Sequence, residues 1–321
     1  MATRGDAIES RHHVHAVVRS AEGAILGSAG DASLLAVWRS CAKPFQAFSF
    51  VESGGFDACG WGAEELALAC ASHGGEPEHV ALARRMLSSI GLEEGDLACG
   101  AHEPMTRRGV RLMHQAGEVP TRLHNNCSGK HTAMLAYARG QGWPTLGYER
   151  RGHQVQEQAI AQVARWSDSR REDMKLLVDG CGVVAIGLPL SSLAFAFARL
   201  GAAAAHGDVV PARILEAIAA HPFLFGGTER FDTVLIEESN GRLISKVGAE
   251  GVHAVTIPAE GIAIAIKVED GASRAQHPAV LRLLQLLGLL PSVLPQRLAA
   301  FARTPIVNTR NEVVGDVRVA S

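Results

Sequence analysis

The residues that can do chemistry fall into two serine–lysine arrangements and two cysteine-bearing loops. The first is Arg39-Ser40-Cys41-Ala42-Lys43, a Ser-x-x-Lys run. A spacing of three puts the serine and the lysine on one face of a helical turn. A serine hydroxyl attacks only after something removes its proton. A lysine removes it only where burial or neighbouring positive charge makes the amine neutral. The start of a helix adds free N–H groups and a positive dipole end, suited to a developing oxyanion. So short a motif also arises as a plain cap serine beside a solvated lysine.

A second hydroxyl comes with Cys70-Ala71-Ser72-His73-Gly74-Gly75, whose glycines permit close backbone approach to a ligand. A second lysine comes with Ser245-Lys246-Val247-Gly248. Ser-x-x-Lys serine hydrolases use a Lys-Thr-Gly strand at this point, and here valine replaces the threonine. The order Ser-x-x-Lys, second serine loop, Lys-x-Gly strand is that of covalent acyl-transfer enzymes of the penicillin-recognising type.

His124-Asn125-Asn126-Cys127-Ser128-Gly129-Lys130-His131 puts Cys127 and Lys130 on one helical face. Asp179-Gly180-Cys181-Gly182 brings a distant thiol to a strand end. Two thiolates suit Zn²⁺, but only two usual ligands are evident. A complete set needs His131, a water or a neutral lysine. A Cys127–Cys181 disulfide and buried inert thiols are the alternatives. Gly129-Lys130 lacks the upstream glycine of a phosphate loop. The polar run Gly226-Gly227-Thr228-Glu229-Arg230 can reach a substrate, and Lys267 to Gly271 reads as a strand end.

The elements that must carry these groups follow from periodicity. His12 to Arg19 alternates as a strand, Glu22-Gly23 turns, and Ala24 to Leu26 begins the return. Cys41 to Val51 predicts a helix, with Pro44 tolerated in its first turn. Helices are also predicted over Pro77–Ile90, Ser128–Arg139, Arg213–Ala220 and Ser273–Leu287, the last interrupted near Pro278. Arg242–Val247 and Val252–Ile257 predict a hairpin, Gly261–Val268 a strand and Ile306–Val319 a terminal hairpin. Cys181 to Ala198 reads as a buried strand, a break and a helix capped by Ser191 or Ser192, not as a membrane span. Strands at both ends with helices between predict an α+β fold. The expected organisation is one catalytic unit over 1–321 with a helical lobe near 60–170 and a sheet lobe of 1–59 plus 171–321.

The chain has 321 residues, 47% of them apolar and 20% charged, which excludes disorder and leaves ample core. A net charge of −2 gives no general pull on nucleic acid or anionic membrane. Met1 to Ser20 has no apolar secretory segment, and the six cysteines are irregularly spaced. The expectation is a cytoplasmic protein with free or metal-bound thiols.

The stretches RSCAKPFQA (39–47), CASHGGE (70–76), CGAHEP (99–104), NNCSGKH (125–131), DGCG (179–182), HP…GG…RFDT (221–233), SKVGAEGV (245–252) and KVEDG (267–271) resemble the Rhizobium-type, class 3 L-asparaginases along nearly the whole chain. The resemblance implies a serine β-lactamase-like fold and hydrolysis of L-asparagine to L-aspartate and ammonia. It implies two catalytic pairs, Ser40 with Lys43 and Ser72 with Lys246. It puts Arg39, His73, Asn126, Asp179 and Gly248 at the substrate. It implies a Zn²⁺ held by Cys127, Lys130 and Cys181, anchoring substrate or ordering a loop and not acting as the hydrolytic centre. It also implies a cytoplasmic homodimer. Asp232, before Thr233, stands where a cysteine would equally fit the pattern. The competing readings are another serine amidohydrolase with a larger substrate and a non-catalytic amino-acid-binding protein.

Overall fold

The computed structural model describes residues 1–320. Its centre is a five-stranded antiparallel sheet in the order Ile25–Ala29, Val14–Ser20, Ile262–Val268, Val252–Ile257, Ile244–Val247. The two ends of the chain therefore meet in the middle of the sheet, with Val17 opposite Ala265. Alternation along Ile262–Val268 decides what covers each face. Ile264 and Ile266 join Val18, Val255 and Ile257 beneath the helix Ser273–Leu286. Ala263 and Ala265 face the other way, with Val17 and Ala254, into a second and larger core.

That alanine-lined face admits the helix Leu190–Ala205 at close range. A Cβ at Gly201 would lie 2.1 Å from Thr256 Oγ1, so only glycine fits there. The larger core continues from this face into the helices of the central stretch. Between 60 and 170 the regular elements are helical: Ala63–Ala69, Pro77–Ser89, Arg107–Gln115, Ser128–Gly140 and Gln154–Ser167, with short 3₁₀ turns.

Two smaller sheets complete the fold. One is four-stranded and joins the termini, pairing Ala2 with Val317. The other runs Leu35–Val37, Val184–Pro189, Lys175–Val178. Its outer strands are both antiparallel to the middle one, so they point the same way. Leu35–Val37 thus delivers Ser40, and Lys175–Val178 delivers Asp179 and Cys181, to one end of the sheet.

Two local expectations change. The helix after the strand Val184–Pro189 begins at Leu190 without a side-chain cap. Its first-turn N–H groups are satisfied elsewhere, Leu190 donating to the Leu34 carbonyl and Ser191 to the Ala32 carbonyl at 2.9 Å each, so Ser191 and Ser192 need not cap. The helix Ser273–Leu286 continues through Pro278 without a break. The carbonyl that proline leaves without a donor belongs to Arg274, which is exposed and open to water. No single helix is long and apolar enough to cross a membrane among the described residues.

Candidate active site

Trp38 ends the first strand of the small sheet, and its N–H donates to the Ile186 carbonyl at 2.9 Å. Arg39 then adopts a left-handed conformation (φ +47°), and the chain turns sharply into the 3₁₀ turn Arg39–Ala42 and the helix Lys43–Glu52. The turn lifts Ser40 to a cavity wall, while Lys43 goes inward and is 1% exposed. Across from it, the strand Ile244–Val247 carries Lys246, also 1% exposed. The Cys41 thiol donates to the Lys246 carbonyl at 3.1 Å, tying the Ser40 turn to that strand. Gly248 allows the approach: a Cβ there would lie 3.1 Å from the Trp38 carbonyl oxygen and 3.2 Å from Cys41 Sγ.

Ser72 lies between the two lysines. Its Oγ is 3.1 Å from Lys43 Nζ and 2.8 Å from Lys246 Nζ. Lys43 also donates to the Ala71 and Asn126 carbonyls, and Lys246 to the Val247 carbonyl. None of the Lys43 hydrogen bonds reaches Ser40 among the described residues. The sequence pairing is thereby altered: both amines converge on one hydroxyl, and Ser40 stands beside this cluster on the cavity wall.

Behind Lys246 is a buried acid. Asp232 Oδ2 is 3.9 Å from Lys246 Nζ and accepts the Val247 N–H at 2.9 Å. Its Oδ1 accepts from the Ser245 hydroxyl at 2.7 Å, and His253 Nε2 lies 3.3 Å away. These bonds and the neighbouring cations hold the carboxyl well below its usual range although burial works the other way. Burial lowers the Lys246 ammonium to about 8; Asp232 opposes that shift and Lys43 adds to it. The amine is therefore largely neutral above that pH.

The cavity is about 400 Å³, and its lining includes Ser40, Ser72, Asn126, Glu229, Arg230, Asp232, Gly248, Glu250, Gln276 and His277. A separate cleft of about 410 Å³ beside Arg11, Arg282 and Arg318 contains none of these groups.

A second cluster adjoins the first through Asn126. Cys127 is the N-cap of the buried helix Ser128–Gly140, and its thiol donates to Asn126 Oδ1 at 3.2 Å. Lys130 Nζ is 2.9 Å from Cys181 Sγ, and all three groups are buried. A hydrogen bond from Cys181 holds the Cys127 thiol well below its usual range, with help from the Lys130 ammonium. The same bond and burial push Cys181 up. Burial works against the Lys130 charge, but Cys127, Cys181 and Asp179 outweigh it and raise its pKa. Asp179 itself forms an ion pair with Arg39 (Nε to Oδ1, 2.6 Å). All six cysteines are free thiols.

Compared with known proteins, residues 1–319 match the family model described as L-asparaginase II. The chain belongs to the L-asparaginase II family. No curated relative matches it. Among solved structures it is similar to the native form of Mglu, at 14% identity and a TM-score of 0.47 over 86% of this chain and 64% of that one. The glutamate form of Mglu gives 14% identity and a TM-score of 0.49 over 90% and 65%. A β-lactamase from Mycobacterium bovis gives 14% identity and a TM-score of 0.41 over 85% and 94%. The chain thus spans somewhat less than two thirds of Mglu.

For this L-asparaginase II family member, the structure brings Ser40, Ser72, Asn126 and Gly248 to one cavity, with Lys43 and Lys246 buried at Ser72. Arg39, His73 and Asp179 do not line it. Arg39 and Asp179 are committed to each other. His73 is buried, takes the Gly75 N–H on Nδ1 and meets Ser128 Oγ through Nε2 at 2.9 Å, so it shapes its loop. His102 was not singled out from the sequence. Its Nε2 accepts the Asn126 N–H at 3.0 Å, which gives the CGAHEP stretch a part in holding the asparagine loop. Ser245 and His253, which hold Asp232, were equally invisible. Only the acid beside Thr233 gave a signal, as a departure from the family pattern.

Proposed function

We propose that the enzyme hydrolyses L-asparagine to L-aspartate and ammonia through a covalent acyl-enzyme on Ser40. The observation that carries this reading is Ser72 Oγ held at 3.1 and 2.8 Å between two buried amines in the wall of the cavity that Ser40 also lines.

Ser40 Oγ attacks the side-chain amide carbon, and the carbonyl C=O π bond opens to an oxyanion. Lys43 takes the serine proton and passes one of its own through Ser72 Oγ to the neutral amine of Lys246. Ser72 gives its own proton to the departing nitrogen and is replenished from the lysines. The C–N bond breaks, ammonia leaves, and the ester on Ser40 is cleaved by water activated through the same amines. Two ammonium groups on one hydroxyl repel each other in a site without bulk water, which favours one neutral lysine at working pH. Asp232 stabilises the ammonium that forms when Lys246 takes up a proton.

Zinc is part of the same proposal. Among the described residues no group of three His, Cys, Asp or Glu side chains could hold a metal. The two thiols with Lys130 offer a soft S₂N set in a buried position, which suits Zn²⁺ once the lysine gives up its proton. Cys127, Lys130 and Cys181 would hold the ion, and bound there it would supply a weak Lewis acid that anchors the substrate's α-amino end or orders the 126–130 loop. A homodimer in the cytoplasm belongs to the proposal on the strength of family resemblance, and sedimentation of the purified protein tests the dimer.

Ammonia release from L-asparagine and L-glutamine by wild type, Ser40→Ala and Ser72→Ala tests the core. Ser40→Ala is expected to abolish acylation. An active Ser40→Ala beside a dead Ser72→Ala would transfer the nucleophile to Ser72.

A further inference from the structure

A free amino acid brings a carboxylate into the site, and a carboxylate leaving water needs a cation. Arg230 is the one lysine or arginine among the described residues lining the cavity that holds Ser40 and Ser72. His277 lines it too, but burial lowers its imidazole to about 3, so it is neutral. Arg39, the arginine nearest Ser40 in sequence, is paired with Asp179 and lies outside the lining.

The Arg230 guanidinium is half-buried and makes no hydrogen bond or ion pair with any described side chain. Arg108, Arg213 and Arg297, by contrast, each pair with a carboxylate. The nearby Asp232 charge favours the Arg230 cation but is spent on Ser245, Val247 and His253. A partly desolvated charge without a partner is costly, and an entering anion recovers that cost.

The backbone that carries it is held in place. Arg230 is the residue before the helix Phe231–Glu238, at the end of the loop Gly226–Glu229. Buried Glu76 accepts both the Thr228 N–H and the Thr228 hydroxyl at 2.7 Å. Thr233 Oγ1 donates to the Gly227 carbonyl at 2.9 Å. The backbone that leads into Arg230 is pinned at Gly227 and Thr228, which lowers the cost of ordering the loop when an anion binds.

We propose that Arg230 is the receptor for the substrate's α-carboxylate and restricts the enzyme to amides that carry one. The assignment rests on the asparaginase reading, and the test separates the two. Wild type, Arg230→Met, Arg230→Gln and Arg230→Lys are assayed with L-asparagine, with succinamate, which keeps the carboxylate and lacks the α-amine, and with 3-aminopropanamide, which keeps the amine and lacks the carboxylate. Compounds turned over too slowly are measured as inhibitors. The expected result is a loss of about 30-fold or more for asparagine and succinamate in the Met and Gln variants, mostly in KM or Ki, with 3-aminopropanamide within about twofold of wild type and partial recovery in Arg230→Lys. An equal loss on all three compounds, or no loss on any, overturns the assignment. If wild type releases no ammonia from asparagine, the asparaginase reading fails by itself. L-aspartate binding by calorimetry then decides for Arg230: weaker binding in both variants supports it, and unchanged binding overturns it. Thermal melting establishes that each variant is folded.

Discussion

Two neighbouring regions bury a lysine completely and move its pKa in opposite directions. Lys246 shares a hydroxyl with Lys43, and burial brings its ammonium down to about 8. Lys130 is equally buried but meets two thiols and the Asp179 charge, which raise its pKa. Depth is the same in both places: at Lys246 burial prevails over the Asp232 charge, and at Lys130 the two thiols and Asp179 prevail over burial. Burial that prevails makes a proton acceptor; attraction that prevails makes a fixed cation that favours a thiolate beside it. The first region is built to move protons. The second is built to hold charge still, and under the zinc proposal a metal bound there would displace the lysine proton.

The sharpest way to break this contrast is to remove the acceptor. Lys246→Ala is expected to lower kcat/KM for asparagine by about 10³-fold or more, in the range of losing a positioned acid–base group. Loss below about tenfold would take Lys246 out of the chemistry. Next comes the pH profile. An amine with a pKa of about 8 accepts protons only when neutral, so kcat/KM should rise as pH climbs through about 8 and fall away below it. A flat profile from about pH 6 to 9 excludes a lysine base.

Asp232→Asn sharpens the comparison from behind. The carboxylate favours the Lys246 ammonium, so its removal should move the acidic limb toward lower pH while reducing the plateau rate about tenfold. An unmoved limb with a normal plateau would reduce Asp232 to a packing role. Metal removal addresses the other region. Verified loss of zinc should raise KM several-fold and leave kcat within about twofold, and an unchanged KM would eliminate anchoring. The smallest effect is expected at the junction between strand and turn. Gly248→Ala should cost about 1–3 kcal/mol in stability, because its new methyl presses on the Trp38 carbonyl and Cys41. Denaturant midpoints equal to wild type would show that the junction can yield.

The local patterns were legible. Strict alternation marked Val14–Ser20 and Ile262–Val268, and the hairpin Ile244–Ile257 was readable from its turn and flanking strands. Pro44 fitted the first turn of its helix, as it does in the structure. The list of reactive side chains was legible too, since lysines and cysteines are few in this chain and serines stand beside them in short motifs. Their partners were legible only in part: the family resemblance paired Ser72 with Lys246, which meet at 2.8 Å, but other pairings changed. Ser40 and Lys43 looked like a pair because they are three residues apart, yet Lys43 turns inward to a hydroxyl 29 residues away. Arg39 looked free until Asp179 met it across the small sheet.

The sequence determined by itself where the chain alternates, where it turns and which residues are capable of acid–base or thiolate chemistry, because those properties follow from covalent structure and near neighbours. The tertiary structure alone decided which amine loses its proton, which arginine keeps an empty guanidinium and which acid stands behind Lys246. Those outcomes depend on burial and on charges brought within a few ångströms, and segments such as 232 and 246 share no local pattern that reveals their meeting.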